Sequence, residues 1–274
     1  MSIASRIPSP PNVRVIGQID HPDFREAFDL ISANALINIP EHNSPELVIV
    51  AQARPYTILA SIIKSLQRRW PLSPVVALLG SWCEGETRTG RPWPGVERLY
   101  WYDFPAWWRR QLALRAAGRC PDWARPIDLG SRNQNYESSS RLRNGAVLIR
   151  SACRESASAL SDVLRRAGYS TVWQPPRRSA VVVSGMVAAI WEGGQWSENE
   201  IDDLALFCHA VAREDAPVVA LLDFPRRDHV ERVHHLGAAA VLGKPWNNWQ
   251  LVATIADVID RTPHTDHIQL PRAA

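Results

Sequence analysis

The stretch Trp82-Cys83-Glu84-Gly85-Glu86-Thr87-Arg88-Thr89-Gly90-Arg91-Pro92-Trp93 gathers two carboxylates, two guanidiniums, a thiol and two indoles. Charges of both signs beside large aromatics suit the capture of an anionic small molecule or a protein surface. The same groups also suit a structural plug, with Glu–Arg pairs inside it and the tryptophans packed beneath. Its glycines and prolines make it a loop, and Trp82, Glu84, Glu86, Arg88, Arg91 and Trp93 are its candidate site residues. A second point of interest is Lys244-Pro245. Lys64 and Lys244 are the only lysines in a chain with 31 basic residues, the rest being arginines.

Other chemistries are excluded by spacing. Cys83, Cys120, Cys153 and Cys208 are scattered, with no C-x-x-C and no Cys/His ligand pattern, so no metal site is expected. His234 and His235 are adjacent on a helical segment and point in different directions. Cys83 has no histidine close in sequence to activate it. Neither a P-loop nor the dinucleotide-binding glycine pattern is present, and no cofactor is expected. A net charge of +3 without a basic stripe argues against nucleic acid. No apolar run approaches membrane-spanning length, and no signal-peptide core follows Met1. With its scattered thiols, the chain is expected in the cytoplasm.

The elements that must position these residues announce themselves by a repeat. Pro74-Val75-Val76-Ala77-Leu78-Leu79 recurs letter for letter as Pro217-Val218-Val219-Ala220-Leu221-Leu222. Each copy is wholly apolar and bounded by turn signals, as a strand covered on both faces of a parallel sheet must be. The 274 residues, 46% of them hydrophobic, suffice for two cores. Strands are expected at 13–17, 35–39, 46–51, 74–79 and 98–102, with helices at 22–33, 57–69 and 106–117. A second series follows: strands at 146–149, 170–173, 187–191, 217–222 and 239–242, and helices at 155–167, 197–213, 226–236 and 247–259. Ser197 with Glu200 is a capping-box pattern. Residues 175–186 read equally as strand or short helix. The domain division is a tail at 1–11, a unit at 12–115, a Gly/Pro/Ser/Arg-rich linker at 116–144, a unit at 145–261 and a tail at 262–274.

The second unit resembles the receiver domain of two-component response regulators. The likeness rests on PVVALLDFPRRDHVERVHHLGAAAVLGKPWNNWQLVATIADVI, and on VLIR followed by a helix and AGYSTV. The first unit is similar to a more divergent copy. The resemblance implies two tandem flavodoxin-like α/β domains, each a five-stranded parallel sheet in order 2-1-3-4-5, with ligands handled at the carboxyl ends of the strands. It also implies a phosphate-accepting aspartate after strand three, acidic Mg²⁺ ligands after strand one, a Thr/Ser after strand four and a lysine after strand five. In the second unit Arg150-Ser151 follow strand one, Glu192 is the carboxylate nearest the acceptor position, and Leu222-Asp223 stand where the hydroxyl would be. Only Lys244-Pro245 fits fully. The remnant pocket is therefore Glu192, Asp223 and Lys244. The first unit departs further, with Asp20 as its nearest acid, Ala51 or Gln52 at the acceptor position, Leu79 for the hydroxyl and Asp103 where the lysine would be.

These residues point to a non-catalytic regulatory protein of signal transduction, built from pseudo-receiver domains and engaging another signalling protein, with no membrane role. The alternatives are an enzyme acting on an anionic small molecule through the loop 82–93, and a nucleic-acid-associated regulator.

Overall fold

The computed structural model describes residues 9–37, 40, 43–86, 90–124, 145–176, 183, 185–194 and 196–262. The expected tails up to 8 and from 263, the linker from 125 to 144, most of the ambiguous stretch 175–186, and Thr87-Arg88-Thr89 lie outside them. The described residues fall into two compact units; the first takes residues up to 124 together with Phe224–Asp228, and the second takes the rest. No helix among them is long and apolar enough to cross a membrane.

The first unit is a four-stranded parallel sheet in the order β1 (Val13–Gly17), β2 (Leu47–Gln52), β3 (Val75–Leu79), β4 (Glu97–Tyr100). Every residue of β2 and β3 is buried, as their unbroken apolar runs require. Helices α1 (Arg25–Asn34), α2 (Ala60–Arg69) and α3 (Phe104–Ala116) cover the sheet. The expectation of five strands here is corrected. Instead of a strand at 35–39, Leu36 forms a single parallel bridge with Asn12, while Asn38 and Ile39 lie outside the described residues. Helix α1 runs to Asn34, and Pro40 has no N–H to give a ladder, so little chain is left for pairing. A 3-10 turn, Ser81–Cys83, follows β3, and Glu86 just beyond it has helical backbone.

Two contacts extend this unit beyond its expected limits. Arg115 binds Glu46 (Nη1–Oε2 2.6 Å) and donates to the backbone oxygen of Ser9. Asp122–Ala124 forms a 3-10 turn after α3, and its Trp123 is buried against Trp107 and Trp108, the latter stacked at 5.6 Å. Gln111 fastens that turn through Asp122, donating to Oδ2 at 3.0 Å and accepting from the backbone N–H at 2.7 Å.

The second unit is a five-stranded parallel sheet, with β5 (Ala146–Arg150), β6 (Ser170–Gln174), β7 (Met186–Glu192), β8 (Val218–Asp223) and β9 (Ala240–Lys244) in the order β6-β5-β7-β8-β9. Counted within the unit this is 2-1-3-4-5, the order the resemblance implies. Helices α4 (Arg154–Arg166), α5 (Glu198–Ala212), α6 (Arg227–His235) and α7 (Asn248–Arg261) complete it. Helix α4 buries Ala157, Leu160, Ser161 and Leu164, the i, i+3, i+4, i+7 face that packs on the sheet. Both bonds of the Ser197–Glu200 capping box form at the start of α5. The Asn247–Gln250 pair does the same for α7. The two PVVALL segments occupy equivalent places, each between the central strand of its sheet and the last strand.

The aromatic stack on α3 gives a test. Trp108 is fully buried, whereas Leu72 is 94% exposed. Trp108→Ala should cost about 3–5 kcal/mol, read as a lower denaturant midpoint, and Leu72→Ala should leave the midpoint in place.

Candidate functional site

Parallel strands bring all their carboxyl ends to one edge, and in the second unit Arg150, Glu192, Asp223 and Lys244 are the last residues of β5, β7, β8 and β9. The register sets Asp223 directly beside Lys244. The Lys244 ammonium binds Asp223 Oδ1 at 2.9 Å, donates to the Gly193 backbone oxygen at 2.6 Å and lies 3.7 Å from Glu192 Oε1. All three remnant-pocket residues therefore meet around one cation, next to the cis peptide Lys244-Pro245. The other Glu192 oxygen accepts from Ser151 Oγ at 2.5 Å. Ser151 is itself held by the Cys153 backbone, and its carbonyl accepts from Trp173 Nε1 at 3.0 Å.

Arg150, at the strand end where acidic ligands are implied, is only 5% exposed. It forms a two-bond pair with Asp203 of α5, Nε to Oδ2 at 2.9 Å and Nη2 to Oδ1 at 2.5 Å. Its guanidinium lies 5.4 Å from the Phe207 ring centroid, and Trp191 Nε1 donates to the same Asp203 carboxylate at 2.8 Å. Partial burial pushes the Asp203 carboxyl up, but the Arg150 and Trp191 hydrogen bonds outweigh it and hold the group below the ordinary aspartate value. Gly193 has no room for a side chain, since a Cβ there would stand 2.3 Å from the Trp191 ring.

The Mg²⁺ that the resemblance implies does not fit these residues. Its ligand positions after β5 hold a guanidinium and a hydroxyl, and the two carboxylates nearest the acceptor position already face an ammonium.

In the first unit the loop residues disperse. Trp82 is 62% exposed, with the Arg54 guanidinium 5.5 Å from its ring centroid. Trp93 is buried in the core with Trp70 and Cys83. Arg91 is exposed, and Arg88 lies outside the described residues. The two acids turn to the neighbouring strand rather than to loop arginines. Glu86 binds Arg98 of β4 at 2.7 Å and accepts from Gln52 Nε2 at 3.4 Å. Glu84 accepts the Tyr102 hydroxyl at 2.5 Å, and burial pushes its carboxyl up to about 7 despite that bond. Asp103, in the place of the implied lysine, is buried and held well above the ordinary aspartate value, first by burial and then by the Glu84 charge. Asp20 is exposed, and Asp23 is the buried acid, accepting the Ser81 N–H at 2.8 Å.

Asp203, Asp23 and Tyr102 are polar residues that sequence reasoning missed. Their only signal was position near a strand end or on the first turns of a helix, which many solvated residues share.

No family model and no curated protein matches the chain. Solved structures similar to part of it include three from signalling proteins. One is the receiver domain of a signal transduction histidine kinase from Syntrophus aciditrophicus, with 20% identity, 46% of this chain and 98% of that chain covered, and a TM-score of 0.38. Another is a response regulator from Thermotoga maritima, with 14% identity, 43% and 98% covered, and a TM-score of 0.35. A third is the chemotaxis protein CheY4 of Vibrio cholerae, with 17% identity, 42% and 98% covered, and a TM-score of 0.36.

The Arg150–Asp203 pair can be tested directly. Asp203→Ala leaves a buried guanidinium without its carboxylate and should cost about 3–5 kcal/mol, while Arg150→Met with Asp203→Leu should recover most of that loss. The sign with pH follows from the lowered Asp203 value. Its contribution is complete above the ordinary aspartate pKa of 3.8 and fades as pH falls through the lower folded value, so acid should destabilise wild type more than the double variant.

Proposed function

We propose that this chain is a non-catalytic regulatory protein of signal transduction, made of two pseudo-receiver units and working in the cytoplasm through contact with another signalling protein. The observation that carries the reading is the occupation of the Lys244 ammonium by Asp223, Gly193 and Glu192. In the implied chemistry that lysine answers an acyl phosphate. Here the carboxylate at Glu192 reaches toward it without modification, and Arg150 puts a positive charge where Mg²⁺ ligands would be needed. The second unit then rests in one conformation, set by its own ion pairs rather than by a kinase. The first unit serves beside it with an acceptor edge made of Gln52, Leu79 and Asp103, none of which supplies that chemistry.

Incubation with acetyl phosphate and Mg²⁺, followed by intact mass measurement, tests this. The mass should stay that of the unmodified chain. An added phosphoryl group would overturn the reading, and its loss in Glu192→Gln would locate the acceptor. A second expectation concerns Lys244→Met. It leaves Glu192 and Asp223 facing each other without their cation, so thermal stability should fall in wild-type background and recover when Glu192→Gln is added.

A further inference from the structure

The 3-10 turn after β3 closes over the carboxyl edge of the first sheet and is fastened at several points. Its Ser81 N–H is held by Asp23, and Cys83, with no exposed surface, has its thiol 3.4 Å from the Gln52 backbone oxygen. Glu84 supplies two further fastenings, one to the last residue of β4 and one just beyond it. Its backbone oxygen accepts the Tyr100 hydroxyl at 3.2 Å and its carboxylate accepts the Tyr102 hydroxyl at 2.5 Å. Around that carboxylate stand Tyr100, Tyr102 and the buried Asp103, and Tyr100 in turn neighbours Cys83 and Arg98, the latter paired with Glu86. Asp23, Arg226, Arg227 and Asp228 line the same cavity of about 540 Å³ within this unit. Among the described residues no cation pairs with Glu84, since Arg98 is committed to Glu86.

We propose that Glu84 makes this turn a proton-operated latch: protonated, it keeps the turn fastened and Cys83 covered, and ionised, it sets an uncompensated charge beside Asp103 and the two phenols, so that the turn opens and bares the thiol. The inference concerns the first unit and does not depend on the fate of phosphate in the second. The thiol beneath is suited to report it, because burial and then the Glu86 charge push Cys83 up to about 11, keeping it protonated and unreactive while covered.

The sign follows from the raised carboxyl. Burial takes Glu84 from 4.5 to about 7 in the fastened state, against the lowering effect of the Tyr102 bond, so fastening is strongest below the ordinary value and weakens as pH rises to the raised one. Once the fastened form is also ionised, above about 7, the opening levels off.

The experiment uses the full chain and dithiodipyridine, a thiol reagent active in acid. Modification of Cys83 is followed by peptide mass spectrometry from pH 5 to 8.5 and divided by that of exposed Cys120, which removes the reagent's own pH dependence. The ratio should rise roughly 40-fold between pH 5 and 7 and then flatten, as the 4.5 and 7 values require. Buried Cys208 should give a flat ratio, and so should Cys83 in Glu84→Gln. A flat wild-type ratio, or a wild-type rise in Glu84→Gln, would overturn the latch. Tyr102→Phe gives an independent reading if the glutamine variant does not fold. Loss of a bond that favours the ionised form should carry the plateau to higher pH, and a move to lower pH would count against the proposal.

Discussion

A guanidinium cannot leave water alone, because an unpaired buried charge costs several kcal/mol. Arg150 has left water almost completely, and the second unit is arranged around that fact. Asp203 must face it, which fixes the rotation of α5 against the sheet. Trp191 must donate to Asp203, which fixes the indole under the strand edge. Gly193 must lack a side chain to leave room for that indole. Its carbonyl in turn helps seat Lys244, so a single buried cation at the end of β5 reaches by contact to the end of β9.

The first unit meets the same demand by other means. Among the described residues Arg98 is the cation that meets an acid of its loop, and it serves Glu86. Glu84 is left to a phenol, which can donate one hydrogen bond but supplies no opposite charge. Without an opposite charge beside it, Glu84 is raised by burial, while Asp203, with its arginine, is lowered. Two similar sheets thus hold their polar edges by opposite electrostatic solutions.

The strands were legible because an unbroken apolar run has few other uses. PVVALL reads as a buried strand in both places, and β3 and β8 bury it accordingly. The Ser197–Glu200 box was legible because its two bonds are local. Lys244 stood out by composition, and Glu192 by its place after the central strand. Asp203 was not legible, because an acid in a helix preceded by Asp202 looks like a solvated helix face. Its importance comes from Arg150, 53 positions away. The loop acids misled for a similar reason. Arginines within the same loop looked like natural partners, whereas the turn geometry aims both acids across to β4, at Arg98 and at Tyr102 just beyond it. The expected strand at 35–39 failed on chain length, with α1 reaching Asn34 and Pro40 close behind.

The contact between Trp191 and Gly193 bears on which substitutions the second unit can accept. Replacing Arg150 with an acid sets a second carboxylate against Asp203, and replacing Asp203 by itself strands the guanidinium. Either change made alone leaves a charge without its partner, and a side chain at Gly193 would collide with the indole that donates to Asp203. Each single step is uphill, so the cluster tolerates concerted change only: its members can be exchanged together but not one at a time.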